Sequence, residues 1–122
     1  MANDFKRFTV SSATTSTGSS ADALYTCPSG GSSAALESIV IGITLSNKTS
    51  AGITGSIFLD GYDGVDTYIV KDATIPVGSS LEVMAGNKLV VQNSGSGAGD
   101  VVRVSGGTAT ALDATISVLE DV

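Results

Sequence analysis

The densest chemistry in the chain lies at positions 60–66, where Asp60, Asp63 and Asp66 recur among Gly61, Tyr62, Gly64 and Val65. Carboxylates gathered around a tight glycine turn suit calcium, which takes several oxygen ligands at once. The three-residue spacing departs from the D-x-[DN]-x-[DN]-G order of an EF-hand loop, so the reading is a solvated hairpin turn, with no metal and no cofactor assigned. The glycine-rich stretch Gly95-Ser96-Gly97-Ala98-Gly99 lacks the Gly-Lys-Ser/Thr of a phosphate loop, and Asp100 beside it would repel an anion. It reads as a hairpin loop.

Nucleophilic chemistry fares no better. The 122 residues include no histidine and a single cysteine, Cys27. A serine or cysteine nucleophile therefore lacks its usual activating base, and zinc lacks its usual ligands. No G-x-S-x-G elbow occurs. The expectation is a protein that is not an enzyme and has no catalytic residues, with Cys27 buried as a small apolar group. Asn47-Lys48-Thr49 fits the N-glycosylation pattern, but MANDFKRFTV has no apolar stretch of the secretory kind behind it, so the match reads as chance.

Charge narrows the partners. Twelve acidic against six basic residues give a net charge of −6, and the cations Lys6, Arg7, Lys48, Lys71, Lys88 and Arg103 are scattered. No nucleic-acid partner is expected, because phosphate binding needs clustered Lys and Arg. No membrane partner is expected either: the same acidity disfavours an anionic surface, and no apolar run approaches the roughly 18 residues of a spanning helix.

The elements that would carry these residues read as strands. Val, Ile, Thr and Tyr segments alternate with Gly, Ser, Asn and Asp clusters, the pattern of an antiparallel sheet protein. In 37–46, Ile39, Ile41, Ile43 and Leu45 share one face by a period of two, leaving Ser38, Val40, Gly42, Thr44 and Ser46 on the other, mostly small or polar, face. In 53–60, Ile53, Ile57 and Leu59 face inward and Phe58 is the exposed exception, a candidate partner contact. Further strands are expected at 23–27, 67–71, 80–84, 88–92, 100–105 and 113–120, the last with Ala114, Ile116 and Val118 on one face. The fold class is all-β: an antiparallel β-sandwich or jelly roll of about eight short strands, occupying 23–122.

Ahead of it, residues 1–22 read as an extended N-terminal arm. Positions 11–22, SSATTSTGSSAD, offer little apolar area to offset the entropy of ordering. Phe5, Lys6, Arg7 and Phe8 place two aromatics and two cations ahead of that spacer, a candidate anchor for a partner, the alternative being a first strand of the chain's own sheet. Small outward residues do little to protect sheet edges, so a homo-oligomer is expected.

Ala23-Leu24-Tyr25-Thr26-Cys27-Pro28-Ser29-Gly30, followed by the alternating strand at 39–45, resembles a group of small virion proteins of tailed phages. So do Thr67-Tyr68-Ile69-Val70-Lys71-Asp72 and Ile75-Pro76-Val77-Gly78-Ser79-Ser80-Leu81. The similarity runs from about residue 5 to the C-terminus, and such proteins occur in phages of cyanobacteria and other aquatic bacteria. Cys27 stands where the family more often has an aliphatic residue, and the loop at 94–99 is longer than usual. The resemblance implies a virion structural protein on the outer head surface: a capsid decoration or cement protein, homotrimeric or otherwise oligomeric, with the major capsid protein as partner. A fibre, collar or tail-associated module that binds a host surface ligand through loops 60–66 or 94–99 is the alternative.

Overall fold

The computed structural model describes residues 3–28, 37–84, 88–94 and 99–121. The most regular alternation builds the centre. In β9 (Leu112–Asp121), Leu112, Ala114, Ile116 and Val118 are all buried, as period two requires, and Asp113, Thr115, Ser117 and Leu119 face out. Nine strands, all paired antiparallel, form two stacked sheets among the described residues. Sheet A runs β1 (Asn3–Val10), β9, β3 (Glu37–Asn47), with β6 (Ser80–Glu82) and β7 (Leu89–Gln92) flanking opposite ends of β3. Sheet B runs β2 (Asp22–Thr26), β8 (Val101–Gly106), β4 (Ile53–Asp60), β5 (Asp66–Ile75). The inner faces enclose one aliphatic core that includes Val40, Ile43, Leu45, Ile57, Val104 and Ile116, each fully buried and worth about 1.5–3 kcal/mol.

The sandwich is as expected, with one strand's pattern broken. The register of β3 against β9 shifts between Val40 and Gly42. This bulge changes parity midway, so Val40 faces inward with Ile43 and Leu45, while Ile39 and Ile41 face outward. Ser38 and Val40, both expected outward, are buried. A bulge inserts one residue without changing composition, so strict alternation carried the four aliphatics onto a single face.

Residues 3–22 also differ from an arm. Residues 3–10 form β1, which pairs with β9 from Asn3↔Asp121 to Val10↔Ala114. The polar stretch after it is ordered by hydrogen bonds: Ala13 N–H donates to Leu112 O (2.8 Å), Ser12 N–H to Asp113 Oδ1 (2.9 Å), Thr14 N–H to Asp22 Oδ2 (2.8 Å) and Gly106 N–H to Thr14 O (2.9 Å). These close one end of the sandwich between the sheets, with Ala13 and Ala21 buried beneath.

Candidate interaction surface

The outer face of sheet A carries an apolar row. Cross-strand register sets Phe5 of β1 beside Leu119 of β9, Leu119 beside Ile39 of β3, and Ile39 beside Val90 of β7. Phe5 is 78% exposed and Val90 52%, and the bulge adds Ile41 at 41%. The row continues across four strands, unlike the isolated surface aliphatics that any soluble protein shows. Toward the other end the same face turns polar, with Thr115, Thr44 and Ser46, and Thr44 Oγ1 reaches Glu82 at 3.4 Å.

The strand at its margin is fixed by a buried polar cluster. Lys6 and Phe8 lie on the inner side of β1. The Phe8 ring rests on Tyr25 of sheet B (centroids 5.2 Å apart), and Lys6 Nζ lies 2.9 Å from Glu120 Oε1. Glu120 is 3% exposed and continues the inward series of β9. The Tyr25 hydroxyl donates to Glu120 Oε2 (2.6 Å) and lies 2.8 Å from Ser38 Oγ. Oε1 accepts no well-angled hydrogen bond, so its compensation is the charge of Lys6. Burial alone would raise the Glu120 carboxyl, but Tyr25 and Lys6 outweigh it and hold the group below its ordinary 4.5. Burial, then the carboxylate beside it, push the Tyr25 phenol well above its usual range. Cys27 is buried beside Ser38, and desolvation raises its thiol, as expected of an inert packed cysteine.

Of the anchor residues, the structure therefore places Phe5 and Arg7 on the outer face, opposite Leu119 and Ser117, while Lys6 and Phe8 serve the chain's own fold. Phe58, expected exposed, is a correction. It does point out of sheet B, sharing a face with Arg103 and Tyr68, yet it is 1% exposed. Tyr68 covers it at 5.1 Å between centroids, and Arg103 opposite is held by Asp60 Oδ2 (2.7 Å) and the Ala21 carbonyl (2.8 Å). A small second layer of the chain itself occupies the place of a partner.

The acidic turn is tied down rather than gathered. Asp63 Oδ1 accepts from Val65 N–H (3.1 Å), and Asp60 pairs with Arg103. Asp100, itself buried, accepts from Tyr62 N–H (3.0 Å) and Gln92 N–H (3.0 Å), joining the turn to β7. Asp66 is exposed, and slight desolvation with the neighbouring Asp60 raises its carboxyl. No cluster of three metal-ligating side chains occurs among the described residues. Beside the turn an open depression of about 200 Å³ is lined by Leu59, Tyr62, Asp63, Thr67, Gln92 and Asp100. The loop residues 95–98 lie outside the described residues.

Asn47, read from its sequon as a chance match, has a structural role. It is 6% exposed; its amide donates to the carbonyls of Ala51 (2.8 Å), Ile75 (3.0 Å) and Pro76 (3.2 Å), and its oxygen accepts from Thr49 N–H and Oγ1. An Asx turn stands where a glycan acceptor would need an exposed side chain. Compared with protein-family models, curated proteins and solved structures, the chain matches none.

Proposed function

We propose that this chain is a non-enzymatic structural protein of a phage particle, a capsid decoration or cement protein on the outer head surface whose main partner is the major capsid protein. The observation that carries the assembly part of this reading is the row Phe5, Leu119, Ile39 and Val90 across the outer face of sheet A. A protein working by contact needs apolar area on a rigid support, and a four-strand face backed by a packed core supplies both. The phage part is supported by the sequence resemblance at 23–30, 39–45, 67–72 and 75–81. The net charge of −6 argues against the genome as partner.

The alternative, a tail or fibre module binding a host ligand, is favoured by one observation: Tyr62, 47% exposed, beside the depression next to the acidic turn. Labelled protein on purified particles separates the two. Copies spread over the head lattice support decoration, whereas copies confined to the tail overturn it. Val90→Asp should release the protein from heads without unfolding it, because Val90 is half exposed.

A further inference from the structure

An open sheet ends in strands whose outer N–H and C=O groups have no ladder partner, and natural sheets blunt such edges with bulges, charges or brevity. The edges of this sandwich are unequally defended. β2 has five residues and a register shift between Ala23 and Tyr25. β5 is longer, but its ladder to β4 shifts twice, Asp72 adopts φ 52°, and Asp66, Lys71 and Asp72 are exposed along it. β6 and β7 have three and four residues. Among the described residues, β1 alone pairs eight residues in unbroken register, without proline; of its two exposed cations, Lys6 is drawn onto Glu120 with 45% of its side chain still exposed, and Arg7 stands on the outer face.

We propose that β1 pairs antiparallel with β1 of a second copy, about a two-fold axis at Lys6, joining two A sheets into one. This deepens the assembly reading by naming what occupies this edge. The register follows from parity. Phe5, Arg7 and Thr9 face outward and Lys6, Phe8 and Val10 inward, so like faces align only when odd residues meet odd and even meet even. The same rule sets the edge-directed backbone groups of the two strands opposite each other, because those groups also alternate.

Two such registers pair seven residues each, and two pair five. Centring on Arg7 sets two exposed guanidinium groups directly opposite, a repulsive pair. Centring on Phe5 pairs only residues 3–7, and centring on Phe8 only residues 6–10. Centring on Lys6 pairs residues 3–9 and puts Phe5 of each copy opposite Arg7 of the other, giving two cation–π contacts on the outer face. Lys6 then meets Lys6 of the second copy, but each ammonium lies 2.9 Å from its own Glu120, so the axis passes through a charge-balanced set. The apolar row of each copy, which ends at Phe5, is continued toward that of the other.

Area sets the strength. Residues 3–9 make an edge about 23 Å long and ~10 Å deep, roughly 230 Å² per copy. A stable interface needs about 800 Å² per partner. The pairing is therefore weak between free molecules and engages when copies are held side by side on a particle, where local concentration replaces affinity.

Disulfide trapping tests this on the purified chain at about 1 mM, a concentration suited to weak pairing. Phe5→Cys and Arg7→Cys are prepared separately, with different tags, and mixed in a glutathione buffer. Both positions are exposed and Cys27 is buried, so the variants should fold and the background should be low. Directly opposed Cβ atoms stand about 4.5–5.5 Å apart, near disulfide reach. The mixed species should form about tenfold faster than either homodimer, and it keeps one Phe5–Arg7 contact intact. Ser117→Cys, one strand inward on the same face, is the control. Equal trapping of Arg7→Cys alone, or a mixed rate no higher than the control, overturns the proposal. No particle is present in the assay, so its failure is distinct from failure of the particle-docking reading, which the location on heads decides.

Discussion

Tyr25→Phe removes one oxygen from the centre of the polar cluster and leaves the ring that supports Phe8. The lost hydroxyl donates to a buried carboxylate at 2.6 Å, and hydrogen bonds to charged groups are worth about 1.5–3 kcal/mol. Ser38 Oγ loses its 2.8 Å neighbour as well, adding about 1 kcal/mol. The expected loss near neutral pH is roughly 3 kcal/mol, a large share of the 5–15 kcal/mol typical of a domain, with a fall in Tm of about 10 °C. The pH dependence identifies the cause. Glu120 titrates below its ordinary 4.5 in the folded chain, so its contribution is present above 4.5 and lost as pH falls through the folded value. Tyr25 is shifted upward from 10.0, so its contribution is present below 10.0 and lost as pH rises beyond it. The variant lacks the second titration, and its Glu120 retains the burial that favours protonation. The gap between wild type and variant should therefore be widest between about pH 5 and pH 10 and close on both sides. Denaturant unfolding followed by circular dichroism across this range measures it. A gap under about 0.5 kcal/mol, or one that does not vary with pH, would refute the view that this bond holds the cluster together.

Other substitutions probe the remaining contacts. Gly99→Ala would drive a methyl group into the Cys27 carbonyl oxygen, and should cost about 1–3 kcal/mol in thermal or denaturant unfolding. Asn47→Asp replaces an amide donor shared by three carbonyls with a charge that repels them, and should destabilise by about 3 kcal/mol at pH 7, less in acid where the carboxyl is protonated. Arg103→Ala uncovers Phe58 and removes the cation that lowers Asp66; NMR titration should show the Asp66 carboxyl rising further, and a fluorescent apolar probe should bind more strongly. Phe5→Ser should leave stability within about 0.5 kcal/mol, since the ring is 78% exposed, while weakening self-association seen by sedimentation at high concentration.

Where a strand obeys strict alternation, its inner face is readable in the sequence. Ala114, Ile116 and Val118 and the set Ile53, Ile57 and Leu59 sit as period two demands. β3 defeats the same rule because its bulge shifts the phase after Val40, and that shift puts Ile39 and Ile41 into the outer row. The row itself is a property of register between strands distant in sequence, so Phe5, Leu119, Ile39 and Val90 had no common signal. The order of residues 11–22 is hidden from the sequence for another reason. Apolar content measures how much burial a segment can contribute, but this one is ordered by hydrogen bonds of its backbone to the backbone of Leu112 and Gly106 and to the carboxylates of Asp113 and Asp22, which composition does not record. Outward direction and exposure also differ: alternation gives the direction of Phe58, and the cover supplied by Tyr68 and Arg103 is tertiary.

Lys6 illustrates how one residue links fold stability to edge accessibility. A lysine on an edge strand ordinarily deters pairing, because its charge must be desolvated when a second strand arrives. Here Glu120 occupies an inward position of β9 where the alternation would otherwise place an aliphatic, and that buried carboxylate holds the Lys6 ammonium on the inner side of β1. The ion pair fixes β1 to the sandwich and at the same time offsets the charge that would guard its outer edge. Lys6→Glu would reverse both effects, setting two carboxylates together at the margin and restoring an uncompensated charge to the edge. Its expected signature is loss of stability together with loss of disulfide trapping between Phe5→Cys and Arg7→Cys. Lys6→Arg, which keeps the cation, should preserve both. Trapping that persisted in a folded Lys6→Glu protein would break the link between the buried pair and the edge.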